Sequence, residues 1–124
     1  MNNVPNTKLI INHLREKLSH DLEKYLTDDY DAVALHSSSI LIAANQAALD
    51  MFGYTEEELI GMNAWHFFHS NSAPVIMQHL MDKSTEPYQV VAVKKDKTEF
   101  DIEIKGMDFE VDGESVRVVL MKYI

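Results

Sequence analysis

The last third of the sequence alternates apolar and charged residues, and this pattern restricts the fold more than any other feature. The clearest stretch is EFDIEIK, in which charged residues separate Phe100, Ile102 and Ile104. Because successive side chains of a β-strand point to opposite faces, the pattern predicts a strand with one dry and one wet face. The run PYQVVAVK precedes it across the turn KDKT, and SVRVVLMKYI follows the hairpin pair Asp112-Gly113. We therefore predict a meander of three antiparallel strands.

The middle of the chain carries the signals of one hairpin followed by short helices. Two apolar runs, 30–35 and 40–43, flank the turn-like cluster HSSS and predict the first two strands. NQAALDMF predicts a short helix with Asn45 as its N-cap and Gly53 at its end. A further helix is predicted over 73–83, where apolar residues recur on one face.

The stretch MFGYTEEELIGM contains three consecutive glutamates, which could form either an acidic site or the start of a helix. Thr55 and Glu58 have the spacing of a capping box, in which each side chain bonds the other residue's backbone N–H. All three glutamates then lie in the first helical turn, where the helix dipole stabilises each by roughly 0.3–1 kcal/mol. Gly61 ends this helix after little more than one turn. We therefore interpret the glutamates as capping residues and not as catalytic carboxylates.

Residues 1–29 are predicted to precede the main domain, which covers 30–124. MNNVPN is polar and is expected to be frayed, and an amphipathic helix is predicted from Thr7 to about Leu26. A heptad-like stripe on this helix favours a dimerisation seam. The stripe consists of Ile11, Leu14, Leu18, Leu22 and Tyr25. The alternative is a helix that packs on its own domain.

Composition limits the classes of function. The 124 residues carry a formal net charge of −9, which repels nucleic acids and anionic lipid surfaces, so neither is an expected partner. The chain has no cysteine, which excludes disulfides, thiolate metal sites and a cysteine nucleophile. Without an apolar run long enough for a membrane span or a signal-peptide pattern, a cytoplasmic location is expected. A nucleophile elbow and a phosphate-binding glycine loop are also missing, so no enzyme is predicted.

Two motifs together resemble the PAS domain family over about Asp31 to Tyr123. AANQAALDMFGYTEEELIGM is similar to the family signature, which runs from an Asn-x-Ala start through Gly-Tyr to Glu-Leu-x-Gly, and KKDKTEFDIEI is similar to the family's charged hairpin. The resemblance implies an α+β PAS fold: a five-stranded antiparallel sheet in the order 2-1-5-4-3, with short helices on one face around a small cavity. Lys97 departs from the family's usual glycine, which suggests a type I turn.

The resemblance also implies a function. It is that of a sensory domain in a bacterial-type signalling protein, for example of a two-component or cyclic-di-GMP system. Such a domain binds a small ligand or cofactor, dimerises and relays the signal to an output domain in the same or another chain. Any catalytic activity would lie in that output domain. The alternative is a ligand-free module for protein–protein interaction.

The wall of the implied cavity is predicted to be apolar. Its residues are Leu49, Met51, Phe52, Trp65, Phe67, Ile76, Leu80, Val91, Ile102, Ile104 and Val118. The alternative is that these side chains simply fill the space as an ordinary core.

The cofactor is left unknown by the sequence. The resemblance to haem-binding members makes His79 a candidate axial ligand, and Trp65 could stack on a flavin ring. The cysteinyl adduct of flavin photoreceptors is excluded because the chain has no cysteine. His66 and His69 are three residues apart, but no third ligand lies near them in sequence, so no metal site is predicted.

Overall fold

The computed structural model describes residues 7–27 and 29–124, so the expected frayed start lies outside the described residues. Its strands are β1 (Ala32–Ser37), β2 (Ile40–Ala44), β3 (Tyr88–Val93), β4 (Glu99–Val111) and β5 (Glu114–Tyr123). They form an antiparallel sheet in the order β2-β1-β5-β4-β3, which places the first hairpin beside the last strand. The predicted α+β fold class and the predicted sheet order are confirmed.

Helices cover both faces of this sheet. They are α1 (Thr7–Leu18), α2 (Gln46–Phe52), α3 (Glu56–Leu59) and α4 (Ala73–Met81), with single 3₁₀ turns at Leu22–Tyr25, Ala64–Phe67 and Ser70–Ser72. Side chains of α2, α3 and α4 pack on one face, which we call the inner face. Side chains of α1 pack on the opposite, outer face. Within the described part of the chain, no helix has the length and apolar character needed to cross a bilayer.

The N-terminal helix is shorter than the sequence pattern predicts. α1 ends at Leu18, and Ser19 and His20 form a turn before the 3₁₀ segment, so the prediction of one helix to about Leu26 is wrong. Serine and histidine have modest helix propensity, and the turn costs little there. It lets Leu22 fold back into the outer core, where Leu14 is already fully buried. Tertiary packing has therefore overridden the helical periodicity.

The predicted dimerisation stripe lies mostly inside the chain's own fold. Ile11, Leu14 and Leu22 are buried among the outer-face side chains of the sheet, and Leu18 and Tyr25 pack at the margin of the same cluster. Ion pairs also attach α1 to the turn after β4, where Lys17 Nζ lies 3.0 Å from an Asp112 carboxylate oxygen. These side chains therefore pack within their own domain, which is the alternative stated above.

Two predicted caps fix the start of the helical segment. The Asn45 side-chain oxygen accepts hydrogen bonds from the N–H groups of Val33 and Ala48, at 3.1 and 3.0 Å, and so ties β1 to the first turn of α2. The capping box is present at α3, where the Thr55 hydroxyl accepts from Glu58 N at 3.2 Å and Thr55 N donates to the Glu58 carboxylate at 3.0 Å. These polar contacts hold the short helices over the inner face.

Candidate functional site

A cavity of about 70 Å³ lies between the inner face of the sheet and the helices above it. Most of its wall is apolar, and the residues that form it come from every strand of the sheet and from α2, α3, α4 and the Ala64–Phe67 turn. The wall includes Ala34, Leu41, Ala48, Phe52, Leu59, Trp65, Phe67, Phe68, Ile76, Leu80, Ile104, Val119 and Met121. A few polar side chains, chiefly Arg117, His36, Tyr88 and Ser39, complete it.

The structure brings together many of the side chains that the sequence predicts for the wall. Those that line the cavity are Phe52, Trp65, Phe67, Ile76, Leu80 and Ile104. Leu49, Met51 and Ile102 belong to the inner core but lie behind the wall. Some of the predicted residues therefore line a cavity and others fill an ordinary core, so each of the two interpretations applies to part of the set.

Two predicted wall residues lie on the wrong face of the sheet. Val118 is buried in the outer core beneath α1, and Val119 lines the cavity instead. In β3, Val90 and Ala92 belong to the inner core, so the alternation directs Val91 away from the cavity. Both strands are apolar at consecutive positions, and such a run defines a strand without defining which residues face inward.

Arg117 forms the charged end of the cavity and is only 5% exposed. Its Nη2 donates to the Ser84 carbonyl oxygen at 3.1 Å, and its Nη1 lies 3.1 Å from an Asp108 carboxylate oxygen. Gly106 provides the room, because a Cβ at that position would lie 2.6 Å from Nη2 and 2.8 Å from Cζ. The guanidinium is thus held in place by an ion pair, a backbone carbonyl and the missing side chain of a glycine.

His36 lies on β1 at the same polar end. Burial, followed by the nearby Arg117 charge, lowers the pKa of His36 from 6.5 to about 4, although Asp108 opposes the shift. The ring is therefore neutral at pH 7. Its Nδ1 is buried and has no hydrogen-bond partner among the described residues, a state that costs free energy unless a ligand or water satisfies it.

Tyr88 closes the cavity beside Arg117, and burial raises the pKa of its phenol. The His79 ring stacks on Tyr88 with centroids 3.8 Å apart and planes 11° apart. This stack places His79 behind the wall, where it supports Tyr88.

The residues do not fit either cofactor considered from the sequence. His79 does not line the cavity, and a cavity of about 70 Å³ is far below the roughly 300–1,000 Å³ of pockets for larger ligands, so neither a haem macrocycle nor a flavin ring fits. Trp65 does lie in the wall, but it faces this same small space.

The histidine pair is not part of a metal cluster. His69 Nδ1 accepts a hydrogen bond from Asn71 N at 3.0 Å and so caps a 3₁₀ turn, while His66 is exposed. Within residues 7–27 and 29–124, no group of three or more potential metal ligands comes together.

Sequence reasoning missed the polar end of the cavity. The signal for Arg117 was present, since it is the one charged residue inside SVRVVLM, a strand that is otherwise almost entirely apolar. His36 and Tyr88 carried no comparable signal because each lies at the end of a strand, beside polar turn residues.

An antiparallel sheet in this order, with short helices enclosing an inner-face cavity, defines the class of α+β domains to which the sequence resemblance pointed. The sequence profile of the PAS domain family matches residues 31–124. The chain therefore belongs to the PAS domain family.

Solved structures agree at the level of the fold. A PAS domain from a two-component sensor histidine kinase superimposes with a TM-score of 0.68 at 13% identity, covering 94% of this chain and 98% of that one. A PAS domain from Desulfitobacterium hafniense gives a TM-score of 0.67 at 20% identity, covering 82% and 99%. A fungal LOV-domain photoreceptor gives 0.67 at 16% identity, covering 94% and 91%. No curated protein matches the sequence.

Proposed function

We propose that this chain is the sensory domain of a cytoplasmic signal-transduction protein, which binds a small ligand in its inner cavity and relays occupancy to an output domain. The observation that carries the proposal is the cavity of about 70 Å³, which has an apolar wall and a charged end. Apolar space with a few convergent polar groups is the usual composition of a small-molecule site. Membership of the PAS family supports the sensory role.

The cavity is well placed to transmit occupancy. Its wall joins α4 to β5, because Arg117 of β5 donates to the Ser84 carbonyl just after α4. A ligand that contacts the guanidinium would therefore act on both the helical cover and a central strand. We assign no reaction to this chain, and any catalysis would belong to the output domain.

The decisive experiment asks whether the cavity takes up a compact apolar molecule. Native mass spectrometry of the purified chain should show a retained ligand. Titration with isoamyl alcohol, followed by NMR, should shift the signals of Ala34 and Ile76 in the wall and leave those of Leu14 and Val118 in the outer core unchanged.

A matched pair of variants locates the binding. Ala34→Val adds two methyl groups to the cavity and should abolish uptake of the alcohol, whereas Ala44→Val makes the same change at the paired residue of β2, outside the wall, and should preserve it. A native mass without bound ligand, together with unchanged NMR signals from the wall residues, would contradict the sensory function. It would support a ligand-free interaction module.

Dimerisation belongs to the same proposal but must use a surface other than the buried stripe. Leu9 on α1 is 62% exposed and remains available to a second copy. Leu9→Glu should then reduce the sedimentation mass to that of a monomer, while Asn12→Glu, at another exposed position of α1, should not. A monomeric parent protein, or an unchanged mass for Leu9→Glu, would remove α1 from the interface.

A further inference from the structure

Arg117 is an unusual residue for its position. Burying a guanidinium costs several kcal/mol unless good partners compensate, and a well-packed apolar side chain in the same place is often as stabilising. Its two protein partners are Asp108, whose side chain is 34% exposed, and the carbonyl of Ser84. A guanidinium carries five N–H donors, so these two contacts leave donors for a further acceptor.

His36 adds a second group at the same end of the cavity. Its Nδ1 is buried without a partner among the described residues, and its ring is close enough to Arg117 for that charge to lower its pKa. A neutral imidazole can carry its hydrogen on Nδ1 and donate it, without adding a second buried positive charge. Two donor side chains, on residues paired across β1 and β5, therefore line one end of a mostly apolar space.

We propose that the cavity binds a small monocarboxylate, with the carboxylate at Arg117 and His36 and a compact apolar body against Phe52, Phe67 and Ile76. This assignment rests on the proposed function, since it names the ligand class of that same cavity. Arginine recognises carboxylates through paired N–H···O bonds, which are about twice as strong as hydrogen bonds between neutral groups.

The size and charge of the site exclude larger and more highly charged anions. At roughly 10–15 Å³ for each water-sized group, about 70 Å³ holds about five to seven such groups. A branched acid of four or five carbons matches that space. A dianion or phosphate would bring a second negative charge to a guanidinium that Asp108 already partly neutralises, and would bury it against apolar side chains.

The test compares isovalerate with isovaleramide, which has nearly the same shape and no charge. NMR titration of the full chain should give isovalerate at least about tenfold higher affinity, the value expected for one charge-assisted contact. Arg117→Gln should abolish this preference. Arg15→Gln, which removes an exposed arginine paired with Glu56, is the matched control and should keep the preference.

A second variant keeps the test valid if Arg117→Gln does not fold. Gly106→Ala retains the arginine but displaces its guanidinium, and it should also abolish the preference for the acid. Equal or tighter binding of the amide, or an unchanged preference in a folded Arg117→Gln or Gly106→Ala variant, would overturn the carboxylate assignment while ligand binding in the cavity stands. Absence of binding by both probes and by isoamyl alcohol would overturn the assignment and the proposed function together.

Discussion

Replacing Gly106 by alanine tests whether the buried guanidinium depends on the missing side chain beneath it. The new Cβ would lie 2.6 Å from Arg117 Nη2, whereas ordinary contact begins at 3.4 Å, so the guanidinium must move by about 0.8 Å. Added along the bond direction, this movement would lengthen the 3.1 Å contacts with Ser84 and Asp108 to about 3.9 Å, beyond hydrogen-bonding distance.

The expected loss of stability follows from those two contacts. A hydrogen bond from a charged group to the Ser84 carbonyl contributes about 1.5–3 kcal/mol. The ion pair with Asp108, which is one-third exposed, contributes at most about 1 kcal/mol. Alanine in a strand recovers about 0.5–1 kcal/mol relative to glycine. Gly106→Ala should therefore lower the free energy of unfolding by about 0.5–3.5 kcal/mol.

Urea unfolding of a double-mutant cycle isolates this interaction. Gly106→Ala is measured in the parent chain and again with Arg117→Ala, in which no guanidinium is present to be displaced. The cost of the glycine substitution should largely disappear in the second background. A loss of stability that is equal in both backgrounds would show that Gly106 matters only for the strand. It would refute the idea that the missing side chain makes room for the guanidinium.

Three further changes test other parts of the fold. Leu14→Ala should lower the free energy of unfolding by about 2–5 kcal/mol and leave the sedimentation mass of the folded chain unchanged; a mass reduced to that of a monomer would restore the dimer seam. The pKa of His36 is about 4 in the folded chain and 6.5 in the unfolded chain, so the free energy of unfolding should fall by at most about 3 kcal/mol as the pH drops through this range. His36→Gln should flatten this dependence of stability on pH. Lys97→Gly should stabilise by about 0.5–1 kcal/mol, since Lys97 adopts φ 76°; destabilisation would indicate a favourable lysine contact.

The elements that the sequence predicted well are those in which local chemistry alone decides the structure. Thr55 and Glu58 form their capping box, and Asn45 caps α2, because each motif is complete within four residues. In the turn before β4, Lys97 N donates to the Lys94 carbonyl, and Lys97 itself takes the left-handed φ that glycine usually adopts there. Clear alternation in β4 likewise placed Ile102 and Ile104 on the inner face.

The errors arose where both faces of an element are apolar. In β5, Val118 and Val119 are equally hydrophobic, and pairing with β1 and β4 decides which one faces the cavity. α1 shows the same ambiguity, because a stripe that fits a coiled coil fits the outer face of a sheet equally well. Such choices depend on the partner surface, which the local sequence does not contain.

Arg117 lies in β5, the strand in which the sequence did not predict which residues face the cavity. A central strand covered on both faces gains most from apolar side chains, and Val116, Val118 and Leu120 follow that rule completely. Arg117 violates it, and β4 accommodates the violation with a glycine at 106 and an acid at Asp108. Departures from the local folding rules tend to occur at functional sites, where a cost in stability is offset by binding. A charged end that is costly for the fold and that lines the cavity is therefore what the proposed carboxylate ligand would explain.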